Sequence, residues 1–325
     1  MTDHANDDDS TEEIDPITLE IVRNQLEGIA EEMGQVLVAS AYSPNIKERR
    51  DCSTALFDTG GRMIAQAEHI PVHLGAMPEA VDAVRQRDPQ RGDIWLLNDP
   101  FAGGTHLPDL TMVSPIVVDG EQLGYAVSRA HHADVGGMVP GSMPAGAREI
   151  YQEGVRIPPV RIVKGGERNE ELLSLLLANV RNADERRADL RAQIAANDRA
   201  QQRLSDLQSG HGREGLRAAF DAVIDYSSDR MAAEIAALPT GTYTAEDVLE
   251  GDGVTDDDIP IRVRLTITEE SITVDFADTA PQVTGNVNAP RSVTKSAVYF
   301  VVRAVTDPEI PPNHGCYRPV SVGIP

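Results

Sequence analysis

The feature that most constrains this fold is a pair of β-prone runs, Leu110–Val118 and Leu123–Ala130, separated by Asp119-Gly120. Asp-Gly favours a tight turn with both residues at positive φ, and such a turn commits its flanks to an antiparallel hairpin. An antiparallel ladder also sets which residues face each other far from the turn. With a two-residue turn Asp109 lies opposite Ala130, and with a four-residue turn it lies opposite His132. In either register two distant windows, His106-Leu107-Pro108-Asp109 and His131-His132-Ala133-Asp134, meet at the open end of the hairpin. Directly opposed residues have Cβ atoms about 5 Å apart, which suits two ligands of one ion. His131 and His132 point to opposite faces of a strand, so one can join Asp109 and the other is left as a hydrogen-bonded neighbour or general base. Two imidazoles and a carboxylate leave coordination positions open and suit Mn²⁺, Fe²⁺ or Zn²⁺ better than Mg²⁺ or Ca²⁺. Spacing alone leaves a second reading, a polar hairpin end whose histidines are simply hydrogen-bonded.

The rest of the chain reads as a mixed α/β (α+β) fold, a β-hairpin-rich sheet core with long amphipathic helices. Asp15 caps a helix from Pro16 to about Ala41, whose apolar face is Val22, Leu26, Ile29, Met33, Val36 and Leu37. Ser53–Leu56 and Arg62–Gln66 are short strands about an Asp-Thr-Gly-Gly turn, and residues 76–87 are a helix. Residues 93–99 are a buried strand, and 131–154 form a long Gly-, Pro- and Met-rich loop. One helical stretch is expected from Glu170 to about Leu207, with Asp184–Arg191 as a solvated face, and another over Glu214–Leu238. Strands follow at Tyr243–Leu249, Ile261–Thr268 and Ser271–Phe276, then a helix at Arg291–Val305. By region, residues 1–14 form a disordered acidic tail, 15–165 a mixed α/β metal-binding region, 166–240 a helical segment and 241–325 a mostly β region. The last strand, from Val320, stops without a closing element and suggests a truncated or split chain.

The net charge of -23 disfavours nucleic acid and anionic membranes as partners. Only Lys47, Lys164 and Lys295 are lysines, and an acidic, lysine-poor surface suggests a halophilic, high-salt cytoplasm. No apolar run is long enough for a membrane helix, and the acidic start is unlike a secretory signal. Cys52 and Cys316 are expected as buried free thiols. There is no P-loop and no GxSxG elbow, and Gly103-Gly104 matches no nucleotide fingerprint. Pro71 argues against His69 and His73 sharing a helix face, and His211 and His314 read as surface or structural residues. Glu48, Arg49 and Arg50, with Asp51, form a dense charge cluster that suits capture of a substrate carboxylate or phosphate, or is a self-paired solvated loop.

Several long motifs, among them SPNIKERRDCSTALFD, HIPVHLGAMPEAV, GDIWLLNDPFAGGTHLPDLTMVSPI, EIYQEGVRIPPV and LLANVRNADERRADLRAQIAAND, resemble the hydantoinase B family over about residues 15–325. The family includes B-type subunits of N-methylhydantoinase and 5-oxoprolinase and is related to an acetone carboxylase subunit. The resemblance implies a hydantoinase B-like fold, a small-molecule substrate, and a hetero-oligomer with a hydantoinase A-type ATPase subunit, on which alone ATP is used. It implies an ATP-dependent hydrolase of cyclic amides, or in the other branch a ketone carboxylase. A non-catalytic scaffold that binds the A-type subunit is the third possibility. In the carboxylase branch manganese is held by a histidine, an aspartate three residues on and a second histidine. These match His106, Asp109 and His131, which resolves the His131/His132 choice in favour of His131. His132, Asp134 and Glu153 are then the candidate general bases. Relatives are longer, with a glycine-rich C-terminal region that has no counterpart here.

Overall fold

The computed structural model describes residues 14–325, so the acidic tail expected at 1–14 lies, but for Ile14, outside the described residues. Its helices are α1 (Pro16–Ser40), α2 (Pro44–Lys47), α3 (Met77–Arg85), α4 (Ile150–Glu153), α5 (Glu170–Ala178), α6 (Ala183–His211), α7 (Arg213–Ala236), α8 (Arg291–Val305) and α9 (His314–Tyr317). Seven strands form one antiparallel sheet: β1 (Cys52–Asp58), β2 (Met63–Glu68), β3 (Ile94–Leu97), β4 (Asp109–Val118), β5 (Glu121–His131), β6 (Val160–Lys164) and β7 (Glu167–Arg168), in the order β2-β1-β5-β4-β3-β6-β7. A second sheet holds β8 (Gly241–Glu250), β9 (Asp258–Ile267), β10 (Ile272–Asp275) and β11 (Val320–Gly323), with β11 parallel to β10.

The helix starts follow local chemistry. The Asp15 carboxylate accepts from the amides of Ile17 and Thr18, and Pro16 occupies the position where no amide is needed. One face of α1 then buries Val22, Leu26, Ile29, Met33 and Leu37. With α6 and α7 this face covers one side of the large sheet, against Leu56, Ala126 and Ala130. The other side of the sheet, carrying Phe57, Val113, Tyr125 and Val127, packs on α3, α8 and the second sheet. The layers are thus helix, sheet, and a mixed layer of helix and sheet.

Two expectations are corrected. The continuous helix from Glu170 to about Leu207 is interrupted between α5 and α6, where Asn182 adopts a left-handed conformation with φ of 54°. In that break the Arg181 amide and guanidinium both bind Asp134. The charged segment Asp184–Arg191 is not a solvated face. Arg186 and Asp189 are buried and paired at 3.2 Å, and Asp189 accepts from the amides of Tyr42 and Ser43 at the turn between α1 and α2. A buried carboxylate that satisfies two turn amides and one guanidinium carries no uncompensated charge.

Helix α6 meets the central hairpin through amides. Gln193 Nε2 donates to the carbonyls of Leu110 and Ser128, and Asn197 Nδ2 donates to Ser114 Oγ. Gln201 makes a reciprocal pair with Val117, accepting from its amide and donating to its carbonyl. These side chains lie one helical turn apart, so one polar stripe of α6 runs along β4.

The hairpin turn is Asp119-Gly120 with φ of 52° and 84°, the two-residue turn expected. The register differs from both expectations. Gly124 pairs with Ile116 while Gln122 pairs with Val117, so a bulge at Leu123 shifts the ladder by one residue. A Cβ at Gly124 would collide with the Phe57 carbonyl, and glycine there lets β1 approach the bulge. The shift sets Asp109 directly opposite His131.

Candidate metal centre

Three chain segments converge where the hairpin ends. The turn His106–Asp109 is closed by the Asp109 amide donating to the His106 carbonyl, which folds the two side chains back on each other. His132 donates its amide to the Pro108 carbonyl and seals the end of the ladder. The loop before His106 is held by buried Asn98, which donates to the carbonyls of Leu107 and Val155 and accepts from the Ile157 amide. The buried guanidinium of Arg129 donates from Nη2 to the Gly103 carbonyl and from Nε to Thr111 Oγ1.

Asp109 is the centre of the cluster and is 1% exposed. Its Oδ1 lies 2.7 Å from His131 Nδ1. Its Oδ2 lies 3.1 Å from His106 Nδ1 and also accepts from the His106 amide and the Thr105 hydroxyl. The two imidazoles meet edge to face with centroids 6.2 Å apart. Burial alone would raise the Asp109 carboxyl. The hydrogen bonds from His106 and His131 and the neighbouring histidine charges outweigh it and hold the group well below the ordinary value. His106 is raised, first by its hydrogen bond to Asp109 and then by that carboxylate's charge, against the opposing effect of burial.

The structure brings His106, Asp109 and His131 together, with one ligand atom from each within 4.8 Å of the others. It adds two residues that sequence reasoning passed over. Asp51, His73 and Asp109 form a second such group. Asp51 ends the segment before β1, and its carbonyl accepts from the His131 amide. Its carboxyl is raised by burial, with the charge of His131 drawing it down. His73 closes the 3₁₀ turn Pro71–His73, fully buried, with Nδ1 2.9 Å from Ser53 Oγ and Nε2 4.0 Å from Asp109 Oδ2. Burial pushes its pKa down to about 3, so the ring is neutral. The signals were weak: Asp51 was visible only as part of a charge run, and His73 only as one of a pair spaced across a proline.

The other sequence-predicted residues are placed differently. His132 lies on the α6 side of the sheet, fully buried, with Nε2 2.9 Å from Gln193 Oε1. Since Gln193 Nε2 already donates to two carbonyls, its oxygen must accept, and His132 carries its proton on Nε2. Asp134 anchors the loop beyond the hairpin, accepting from the amides of Gly136, Gly141 and Arg181 and from the Arg181 guanidinium. Neither joins the cluster. Glu153, at the end of α4, is half-buried and raised by burial, with the charge of His106 drawing it down. Glu48, Arg49 and Arg50 form an exposed turn immediately before Asp51 and make no ion pair among the described residues. Cys52 and Cys316 are buried free thiols.

The donor set suits a divalent transition metal. Two imidazole nitrogens and a carboxylate come together in one group, one imidazole and two carboxylates in a second that shares Asp109, and His73 Nε2 is a buried nitrogen without a hydrogen-bond partner. A cation held through His106 would have to displace its proton, and its binding would weaken as pH falls through the raised His106 value. The metal-free chain follows the opposite sign. The raised His106 contributes stability that is present below 6.5 and lost as pH rises through its folded value, while lowered Asp109 contributes stability that is lost as pH falls below 3.8. Mn²⁺ titrations at pH 6 and pH 8 should therefore show tighter binding at the higher pH, while melting of the metal-free chain over the same interval shows a decline. Equal affinities at both pH values would contradict this assignment.

A family model described as hydantoinase B/oxoprolinase matches residues 15–325. A 5-oxoprolinase of Dictyostelium discoideum is 38% identical over 97% of this chain, which spans 25% of that protein. The crystal structure of an ATP-dependent caprolactamase from Pseudomonas jessenii superposes with a TM-score of 0.90 at 33% identity, covering 96% of this chain and 54% of the other. A nucleotide-free acetone carboxylase structure, 19% identical with a TM-score of 0.86, covers 94% of this chain and 43% of its own, and shares the fold. The chain thus spans about half the length, or less, of the relatives it matches.

Proposed function

This chain belongs to the hydantoinase B/oxoprolinase family, and on that premise we propose that it is the B-type part of an ATP-dependent cyclic-amide hydrolase that opens a ring such as a hydantoin or 5-oxoproline. The observation that carries the proposal is the convergence of His106, Asp109 and His131 on one buried carboxylate at the end of the hairpin. The names of the 5-oxoprolinase and the ATP-dependent caprolactamase support the same class of substrate. A divalent metal, manganese first and zinc or iron as alternatives, would polarise the ring carbonyl and acidify a bound water.

The chain's own residues divide the remaining work. Asp51, half-buried and raised by burial, accepts a proton from the attacking water. Glu153, half-buried, raised by burial and within the electrostatic reach of His106, returns a proton to the departing ring nitrogen. Arg49 and Arg50, with Glu48 beside them, form the exposed lip where a substrate carboxylate docks. His132, with its pKa pushed by burial down to about 4, stays neutral and ties the end of β5 to α6. Asp134 holds the loop shape. ATP is used on a separate A-type ATPase subunit, and the hetero-oligomer works in the cytoplasm.

The test is reconstitution with an A-type subunit, assayed for ATP-dependent opening of hydantoin, 5-oxoproline and simple lactams alongside elemental analysis. One equivalent of transition metal is expected, and His106→Ala should lose it together with at least roughly 100-fold in turnover. The proposal is wrong if the parent holds no transition metal and His106→Ala is equally active. ATP- and bicarbonate-dependent consumption of acetone would instead assign the chain to the carboxylase branch.

A further inference from the structure

We propose that α8 is the positioning element of the metal centre, and that Ser292 and Ser296 hold the two loops that flank Asp109. The proposal rests on the metal reading above. Both serines are 1% exposed and lie one helical turn apart, on the face of α8 that meets the loop at Gly104 and the turn at Gly75. Ser292 Oγ donates to the Gly104 carbonyl at 2.7 Å, two residues before His106. Ser296 Oγ accepts from the Gly75 amide at 2.9 Å, two residues after His73, and donates to the Ser292 carbonyl at 3.0 Å. One face of one helix therefore binds a carbonyl in the His106 loop and an amide in the His73 turn.

The fit leaves little room for slippage. A Cβ at Gly75 would lie 2.8 Å from Lys295 Cβ and 2.9 Å from the Ser296 amide nitrogen, so the turn rests against the helix backbone. A Cβ at Gly104 would collide with the Asn98 carbonyl. The helix is itself anchored, because Lys295 Nζ lies 2.6 Å from Glu79 Oε1 on α3. Gly103, beside Gly104, is bound by Arg129, two residues before His131 on β5. Side chains on α8 and β5 thus grip backbone groups of the loops that carry His106 and His73, and Arg129 ties the His106 loop to the strand that carries His131. Outer partners of this kind orient metal ligands, and removing one typically weakens metal binding about 10–100-fold.

The experiment uses the full chain in four forms: parent, Ser292→Ala, Ser296→Ala and Ser296→Thr, the last retaining the hydroxyl. Mn²⁺ affinity is read from the electron paramagnetic resonance signal of free Mn²⁺, and ligand geometry from the visible spectrum of the Co²⁺-loaded chain. Each alanine variant should bind Mn²⁺ about 10-fold more weakly and shift the Co²⁺ bands, with Ser296→Thr returning both toward the parent. Unchanged affinity and spectra in both alanine variants, even with a lowered melting temperature, would mean that the serines only satisfy buried backbone groups. A parent that binds neither ion defeats the metal reading itself. Amide hydrogen exchange of the metal-free chain separates the two failures. Residues 103–106 should exchange faster in Ser292→Ala and residues 73–76 in Ser296→Ala, and if neither does, α8 does not hold these loops whatever the metal result.

Discussion

Replacing Asp109 with asparagine is expected to abolish metal retention and turnover together, the largest functional effect of any single substitution in this chain. Both oxygens of this carboxylate are engaged, Oδ1 by His131 and Oδ2 by His106 and Thr105. Asparagine keeps one acceptor and puts an amide donor where the second oxygen stood, so the imidazole facing it must change tautomer or turn away. It also removes the buried negative charge that holds His106 in its raised state and offsets the charge of a bound cation. Outer-sphere changes already weaken metal binding by up to about 100-fold, and loss of a central ligand should exceed that. The metal-free chain should also lose about 2 kcal/mol, the typical effect of disrupting buried hydrogen bonds to a charged group. Equilibrium dialysis against Mn²⁺ and denaturant unfolding of the metal-free protein measure the two effects. Parent-like metal affinity in this variant would remove Asp109 from the centre.

The parts of this site that were legible in the sequence are those governed by local rules. Asp119-Gly120 dictated a hairpin, and the hairpin dictated that the windows at 106–109 and 131–134 meet. The one-residue register error came from the bulge at Leu123, which depends on how β1 packs against Gly124 and leaves no local signal. That shift turned two candidate facings, Ala130 and His132, into a third, His131. Asp51 and His73 were hidden for a related reason. Their places depend on β1 pairing with β5 across a long separation and on a 3₁₀ turn about Pro71, which periodicity does not report. The polar face of α6 was hidden because buried Gln193 and Asn197 look, in sequence, like an ordinary solvated stripe, and only the carbonyls of β4 and β5 explain them. The same holds for Arg186 and Asp189, whose partners are each other and a turn near residue 42.

That polar face makes Gln193→Leu the substitution with the largest expected effect on stability. Leucine matches the side chain in bulk and suits a helix, so propensity and volume alone would make the change neutral or favourable. The hydrogen bonds decide otherwise. Gln193 serves three buried groups at once: the Leu110 carbonyl, the Ser128 carbonyl and the His132 Nε2–H. Each buried group left without its partner costs about 1–3 kcal/mol, and apolar neighbours offer no replacement. A loss of about 3 kcal/mol in unfolding free energy is therefore expected, readable as a lower denaturant midpoint at unchanged slope. Gln193→Glu is the informative comparison, because it keeps an acceptor for His132 but loses the donor to both carbonyls and buries a charge. It should be at least as damaging as leucine. If leucine were as stable as the parent while glutamate was not, the amide stripe would only exclude charge and would not hold the hairpin. His132 adjoins His131, so on the proposed metal reading Gln193→Leu should also weaken Mn²⁺ binding, which links the order of the buried stripe to the geometry of the His106–Asp109–His131 cluster on the other face of the same strand.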